Sequence, residues 1–194
     1  DILRLWVVSS DYYDDLRIGK DILIRYADHY RRFRNTFRYL LGALSDFNEK
    51  EIVDYKDMPE LEKLILNKLA KIYLQITKNS ENYNLNEIFR QLYNFCNADL
   101  SAFYFDIRKD TLYCNNLENL ERQSCRTVMD ILFKCLTTWL APILCFTSEE
   151  AWQVRYGDNK ESIHFHEYFA ISKSWLNSDL EKKWDNIRAV SYTH

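Results

Sequence analysis

Between Asp21 and Leu44 the apolar positions Leu23, Tyr26, Tyr30, Phe33, Phe37, Leu40 and Leu44 recur at steps of three and four. That spacing lines them along one stripe of a helix, which at about 1.5 Å per residue spans roughly 36 Å. Gly19 ends whatever precedes it, and polar Ser45 and Asp46 close the stripe. A second stripe, Leu61, Leu64, Ile65, Leu69, Ile72 and Ile76, follows Met58-Pro59-Glu60. Pro59 suits a first helical position, and Glu60 and Glu62 sit where the helix dipole favours carboxylates. Polar Asn79, Ser80, Asn82 and Asn84 read as a connection, and a third helix from about Leu85 to Phe105 buries Ile88, Leu92, Phe95 and Leu100. A second connection, Arg108 to Asn119, leads to a fourth helix on which Val128, Leu132, Cys135, Leu136 and Trp139 align. Trp139 is expected in the core. Pro142 lacks the amide hydrogen a helix interior needs, so a break is expected near Leu140. Thr147-Ser148-Glu149-Glu150 has the T-x-x-E form of a capping box and predicts a short helix through Trp152 and Tyr156, stopped by Gly157. Leu180, Trp184, Ile187 and Val190 predict one last helix.

Composition adds the fold class. With three Gly and two Pro in 194 residues, 47% of them hydrophobic, the chain has few residues that build tight turns and enough apolar mass for one core. The expected architecture is all-α, an antiparallel helix bundle. No apolar run reaches the roughly 18 residues of a membrane span, and the first residues, Asp1-Ile2-Leu3-Arg4-Leu5-Trp6, do not form a signal peptide. A soluble, cytoplasmic protein is expected. Cys96, Cys114, Cys125, Cys135 and Cys145 contain no C-x-x-C pair and read as buried free thiols, and His164 and His166 lack partners at ligand spacing, so no metal site is expected.

Charge changes the picture more. A net charge of −3 argues against generic nucleic-acid affinity, which comes from Lys and Arg neutralising phosphates. The distribution is uneven, however. Lys20, Arg25, Arg31, Arg32, Arg34 and Arg38 face only Asp21 and Asp28 over that stretch, whereas Asp46 to Glu62 is mostly acidic. A local basic face can survive an acidic total.

Several segments resemble one family in order along the chain. Asp1 to Trp6 followed by SSDYYDDLRIG (9–19) resembles the run after the KMSKS loop of isoleucyl-tRNA synthetases. YRRFRNTFRYLLG (30–42) is similar to the opening helix of the anticodon-binding domain shared by the isoleucyl, valyl, leucyl and methionyl enzymes. SAFYFDIRKDTLYC (101–114) resembles the isoleucyl pattern in particular, WLAPILCFTSEEAW (139–152) the class I pattern at large, and SIHFHEYF with KKWDNIRAV the approach to the C-terminal extension of bacterial-type enzymes. Ser191 to His194 depart from that pattern, where an Arg after Val190 is usual.

The resemblance implies a domain that recognises the anticodon stem-loop of tRNA(Ile) inside a parent isoleucine-tRNA ligase. Residues 1–19 would end the catalytic or stem-contact region, 20–156 form the helical bundle, and 157–194 a tail leading to a further extension. The parent, expected to be monomeric, uses ATP and Mg in a catalytic domain and holds Zn in a C-terminal extension. This chain has neither an H-x-G-H element nor a Lys-Met-Ser-Lys run, so it is expected to bind without catalysing, with no catalytic residue and no cofactor of its own. Residues Ile2, Leu3, Leu5, Trp6 and Val7 would pack on the catalytic domain and be partly exposed without it.

Candidate RNA contacts follow from helical geometry. At about 100° per residue Arg31, Arg34 and Arg38 share one flank of the first long helix, with Arg25 and Arg32 on the outer side. Guanidinium groups in a row can hold successive phosphates, Tyr39 can stack on an unpaired base, and Lys68, Lys71 and Lys78 extend the surface. Arg108 and Lys109 are the second candidate pair, on a turn expected to meet an RNA loop. A structural reading stands beside each: the flank arginines as solvated residues or partners of Asp28 or Asp99, Arg108 as a partner of Asp106 or Asp130, and Asn35 as structural. Two other functions stay open, a helical protein-interaction scaffold and the anticodon domain of a valyl enzyme.

Overall fold

The computed structural model describes residues 1–10, 15–157 and 161–192, with side chains through Ala189. Among the described residues there is no strand. The order is α1 (Ile2–Ser9), α2 (Lys20–Ala43), two single 3-10 turns (Glu49–Glu51 and Tyr55–Asp57), α3 (Glu60–Glu81), α4 (Leu85–Asn94), a π-helical stretch (Phe95–Tyr104), α5 (Phe105–Cys114), α6 (Leu120–Leu140), α7 (Cys145–Tyr156), two more 3-10 turns and α8 (Ser178–Tyr192). The all-α bundle expected from the apolar periodicity is what forms. Asp11, Tyr12, Tyr13 and Asp14 of the segment before α2, and the final Thr193 and His194, lie outside the described residues.

α6 is the axis of the bundle, in contact with α2, α3, α5 and α7. Beyond its expected stripe, Cys125, Met129, Phe133 and Leu140 fill its other faces, and each is buried. A helix buried on nearly every face belongs in an interior, where each fully buried Leu or Phe contributes roughly 1.5–3 kcal/mol. Trp139 is wholly buried, its ring 6.0 Å from that of Tyr73. α6 stops at Leu140, two residues before Pro142, as the missing amide requires.

Four expectations about elements are corrected. The helix that begins at Leu85 does not end at Phe105: α4, the π stretch and α5 run on without a break to Cys114, leaving only 115–119 as the connection. Neither Gly nor Pro interrupts 95–114, and the wider π turn shifts the buried positions to Phe95, Cys96, Leu100, Tyr104, Arg108 and Leu112, a spacing that a 3.6-residue template misses. Pro59 is the residue flanking α3 and not its first helical residue. The Thr147 capping box does not form. α7 begins earlier, at Cys145, and its first turn is capped by the Asp1 carboxylate, which accepts from the Thr147 amide at 2.9 Å and the Thr147 hydroxyl at 2.6 Å. The N-terminal segment is therefore built into the bundle: Leu5 is wholly buried against expectation, while Ile2 and Trp6 stay partly exposed and Leu3 and Val7 half exposed, as expected.

The last residues are also tied down. α8 rests on α3 through Leu180, which is buried, and through Lys183 to Glu60 at 2.7 Å, while Trp184 meets Phe103 edge to face. Ile187, expected inside, is half exposed, and the Val190 side chain lies outside the described residues.

Candidate nucleic-acid interface

α2 carries six of the 26 Lys and Arg residues, and its packing decides which way they point. Phe33, Thr36, Phe37 and Leu40 turn into the core, which leaves Arg25, Arg31, Arg32, Arg34, Asn35 and Arg38 on the solvent side. α2 ends without a basic residue of its own in the last turn. Two arginines from other helices, Arg126 buried and Arg155 largely so, replace it. Arg126 donates to the Ala43 carbonyl at 3.2 Å and Arg155 to the Leu44 carbonyl at 2.7 Å, placing positive charge at the negative end of the helix. Arg126 is held in turn by Asp46 and Glu51, and Arg155 by Asp130. Nothing local in the sequence announces these caps.

Along the exposed flank the three arginines differ. Arg31 pairs with Asp28 one turn earlier, but both side chains are more than half exposed, and such pairs are worth only about 0–1 kcal/mol. Arg34 forms a two-pronged fork with Glu150 of α7 at 2.9 and 3.0 Å. The fork holds the Glu150 carboxyl below its ordinary range and raises the Arg34 pKa. Arg38, on the same flank about one turn beyond Arg34, has no hydrogen-bond or ionic partner among the described residues. Arg32, across the helix, donates to Asn97 on the π stretch.

Arg34 also heads a directed chain of hydrogen bonds. The Thr147 hydroxyl has one proton and gives it to the Asp1 carboxylate, which can only accept. The Tyr30 hydroxyl, 3.0 Å from Thr147, therefore donates to Thr147 and accepts from Arg34 at 3.2 Å. The chain of contacts fixes the Arg34 guanidinium relative to α1, α2 and α7 together. Tyr30 and Glu150 lie on different helices, so their meeting at Arg34 is a tertiary event.

The remaining candidates divide. Arg108 is not on a connection. It lies within α5, buried, with Nε and Nη2 each 2.7 Å from a Glu62 oxygen, and the Tyr104 hydroxyl donates to the same carboxylate. It ties α5 to α3 and leaves the solvent surface; its partner is neither Asp106 nor Asp130. Lys109, next to it, is exposed and pairs with Asp106 at 2.9 Å. Lys68 is turned inward to Asp99, which also takes Arg188, and Lys71 pairs with Glu181 of α8. Lys78 stays exposed. Tyr39 is half buried, stacked on Phe105 with ring centroids 4.2 Å apart, so one of its faces is already covered. Burial, then the neighbouring Tyr113, raises its pKa.

No group of three or more His, Cys, Asp or Glu among the described residues is arranged to hold a metal. His164 Nε2 sits 3.2 Å from the Cys145 carbonyl, and the His166 ring lies tilted against Trp152 at 4.7 Å. Cys96, Cys125 and Cys135 are buried as expected, and burial pushes the Cys96 and Cys125 thiols up to about 12; against that expectation Cys114, at the end of α5, is exposed and Cys145 is only partly buried. No helix among the described residues is long and apolar enough to cross a membrane.

An apolar groove of about 780 Å³ lies at the other end of α2, between Ile2 and Leu3 of α1 and Ile18, Leu23, Ile24 and Ala27. A smaller one, about 310 Å³, runs between α2 and α7 beside Arg34 and Arg38.

Comparison with known proteins agrees with this geometry. The chain is 48% identical to the isoleucine-tRNA ligase of Gluconobacter oxydans over 97% of its own length and 20% of that protein's. It is 48% identical to the isoleucine-tRNA ligase of Agrobacterium fabrum over 98% of its length and 19% of that protein's. It thus spans about a fifth of the length of these curated relatives. Among solved structures, the agnB2 LeuRS of Agrobacterium radiobacter K84, in a ternary complex with tRNA and LeuAMS, shares the fold with a TM-score of 0.66 at 13% identity, covering 91% of this chain and 20% of that one. The profile of the anticodon-binding domain of tRNA ligases matches residues 62–193. A helical bundle with an arginine-bearing face, matched by that profile over most of its length, belongs to the anticodon-binding domain family of tRNA ligases.

Proposed function

We propose that this chain recognises the anticodon stem-loop of tRNA(Ile) as one domain of an isoleucine-tRNA ligase. In that reading the catalytic work, with ATP and magnesium, belongs to other parts of a cytoplasmic, monomeric parent, and any zinc to its C-terminal extension. The observation that carries the reading is the exposed α2 flank, where Arg38 has no carboxylate partner among the described residues and Arg31 holds only an exposed one. Phosphates would meet Arg31 and Arg38 directly, with Arg25, Lys109 and Lys78, all exposed, as further cations open to RNA. The α1–α2 groove, whose rim includes half-exposed Leu3, Ile18 and Ile24, suits contact with the catalytic domain of the same parent.

The test is a filter-binding comparison of tRNA(Ile) with a tRNA that differs only in its anticodon. Tighter binding of tRNA(Ile), weakened by Arg31→Ala combined with Arg38→Ala, is the expected result. Equal binding of the two RNAs, unchanged by the double substitution, would reject the reading and leave a scaffold role as the better account.

A further inference from the structure

Arg34, Arg38 and Glu150 stand around the same narrow space between α2 and α7. The two arginines are one helical turn apart, a spacing at which side chains are neighbours, so a carboxylate that reaches one can reach the other. Glu150 gives both oxygens to Arg34, at 2.9 and 3.0 Å, and Arg38 has no partner among the described residues. Both members of the pair are about half exposed, where a lone ion pair is weak. The preference for Arg34 has a second source. Tyr30 accepts from Arg34 at 3.2 Å and donates to Thr147 at 3.0 Å, and Thr147 donates to Asp1 at 2.6 Å. Asp1 also accepts from the Thr147 amide at 2.9 Å, which anchors the far end of the row on α7. The row gives the Arg34 guanidinium a further acceptor, and a fork fixed by a network is the case in which an exposed pair holds. Arg38 lies eight residues from Tyr30, roughly 12 Å along the helix, and has no share in that acceptor.

We propose that Arg34 serves RNA binding without touching RNA: held on Glu150 through Tyr30, Thr147 and Asp1, it occupies the carboxylate that would otherwise take Arg38, and so keeps Arg38 open to phosphate. The inference rests on the RNA-binding reading above. Tyr30, Thr147 and Asp1 are positioning residues in this scheme. With the fork in place Arg34 and Glu150 cancel, and Arg38 carries the remaining positive charge. Without Arg34, Glu150 turns to Arg38 and that charge is lost. Without Glu150, two cations stand free one turn apart, and phosphate binding strengthens. Glu150 is thus a brake on the flank, and Arg34 is what holds the brake off its neighbour.

The experiment titrates the 194-residue chain with the anticodon stem-loop of tRNA(Ile) over a range of salt. Arg34→Gln is expected to weaken binding about tenfold and to lower the salt slope by about one ion, because one phosphate contact is lost. Adding Glu150→Gln should bring affinity back to within about twofold of wild type, which a direct Arg34 contact would not allow. In an Arg38→Ala background Arg34→Gln should cost less than about twofold, whereas a general effect of net charge would persist in full. Tyr30→Phe and Thr147→Val alter no charge and should still weaken binding about threefold, the worth of one hydrogen bond. Thr147→Ser keeps the hydroxyl and should bind as wild type does. Thermal melting within a few degrees of wild type checks that each variant folds. A double substitution as weak as Arg34→Gln alone, a full loss from Arg34→Gln in the absence of Arg38, or Thr147→Val and Thr147→Ser behaving alike would each overturn the assignment and leave the RNA-binding reading standing. A wild type that binds no stem-loop at any salt would overturn that reading, and the assignment with it.

Discussion

Glu62 and Arg108 are 46 positions apart in the chain, and the structure brings them together with both charges largely removed from water. Breaking such a pair from one side leaves an ion without compensation. Glu62→Ala is therefore expected to destabilise the fold by about 3–5 kcal/mol, measured by denaturant unfolding; a change under about 1 kcal/mol would show that Arg108 escapes to water. His29 gives a second prediction at this scale. Its ring packs among Tyr26, Phe89 and Tyr93, and burial, then Arg32 and Arg25, lowers its pKa below the ordinary 6.5, with Asp28 opposing. The unfolded chain thus binds a proton at a pH where the folded chain does not. Stability should fall as pH drops below 6.5 towards the lowered folded value. Melting followed from pH 7.5 to 5.5 should show that slope, and His29→Gln should flatten it; an unchanged slope would assign the effect elsewhere.

At the scale of elements, two glycines should respond in opposite ways. Gly157 ends α7 with φ +91 and ψ 155, a region open to almost no other residue, so Gly157→Ala should cost about 1–3 kcal/mol. Gly42 lies inside α2 with ordinary helical geometry and nothing within 4 Å of an added Cβ. Gly42→Ala should raise stability by about 0.5–1 kcal/mol, by restricting the unfolded chain. Comparing the two melting temperatures tests both claims, and a shared sign would refute one of them. How far each helix could be read from its sequence follows from its local order. α2 and α3 keep a 3.6-residue repeat and were legible almost end to end. The helix from Leu85 to Cys114 was not, because the π stretch changes the repeat in mid-course. The start of α7 was misplaced because its cap, Asp1, comes from the far end of the chain.

Across the whole molecule charge is uneven: Arg25, Arg31, Arg32, Arg34 and Arg38 stand exposed along α2 of an acidic protein. The net charge of −3 works against indiscriminate polyanion binding, and in the proposed reading RNA contact concentrates on α2. With roughly three phosphates neutralised, raising salt from 50 to 200 mM should weaken stem-loop binding about twentyfold, and Arg38→Ala should lower the slope by about one ion. A slope near zero would place the binding energy outside the arginines. Sequence alone determined the helical class, the long α2 with its arginines on one side, and the core residues of α3 and α6, because apolar periodicity is a local property of consecutive residues. Only the tertiary structure decided which cations remain available. Arg34 meets Glu150 across 116 positions, Lys71 meets Glu181 across 110, and Arg108 meets Glu62 across 46. Ion pairing depends on which helices lie side by side, and no repeat along the chain encodes that.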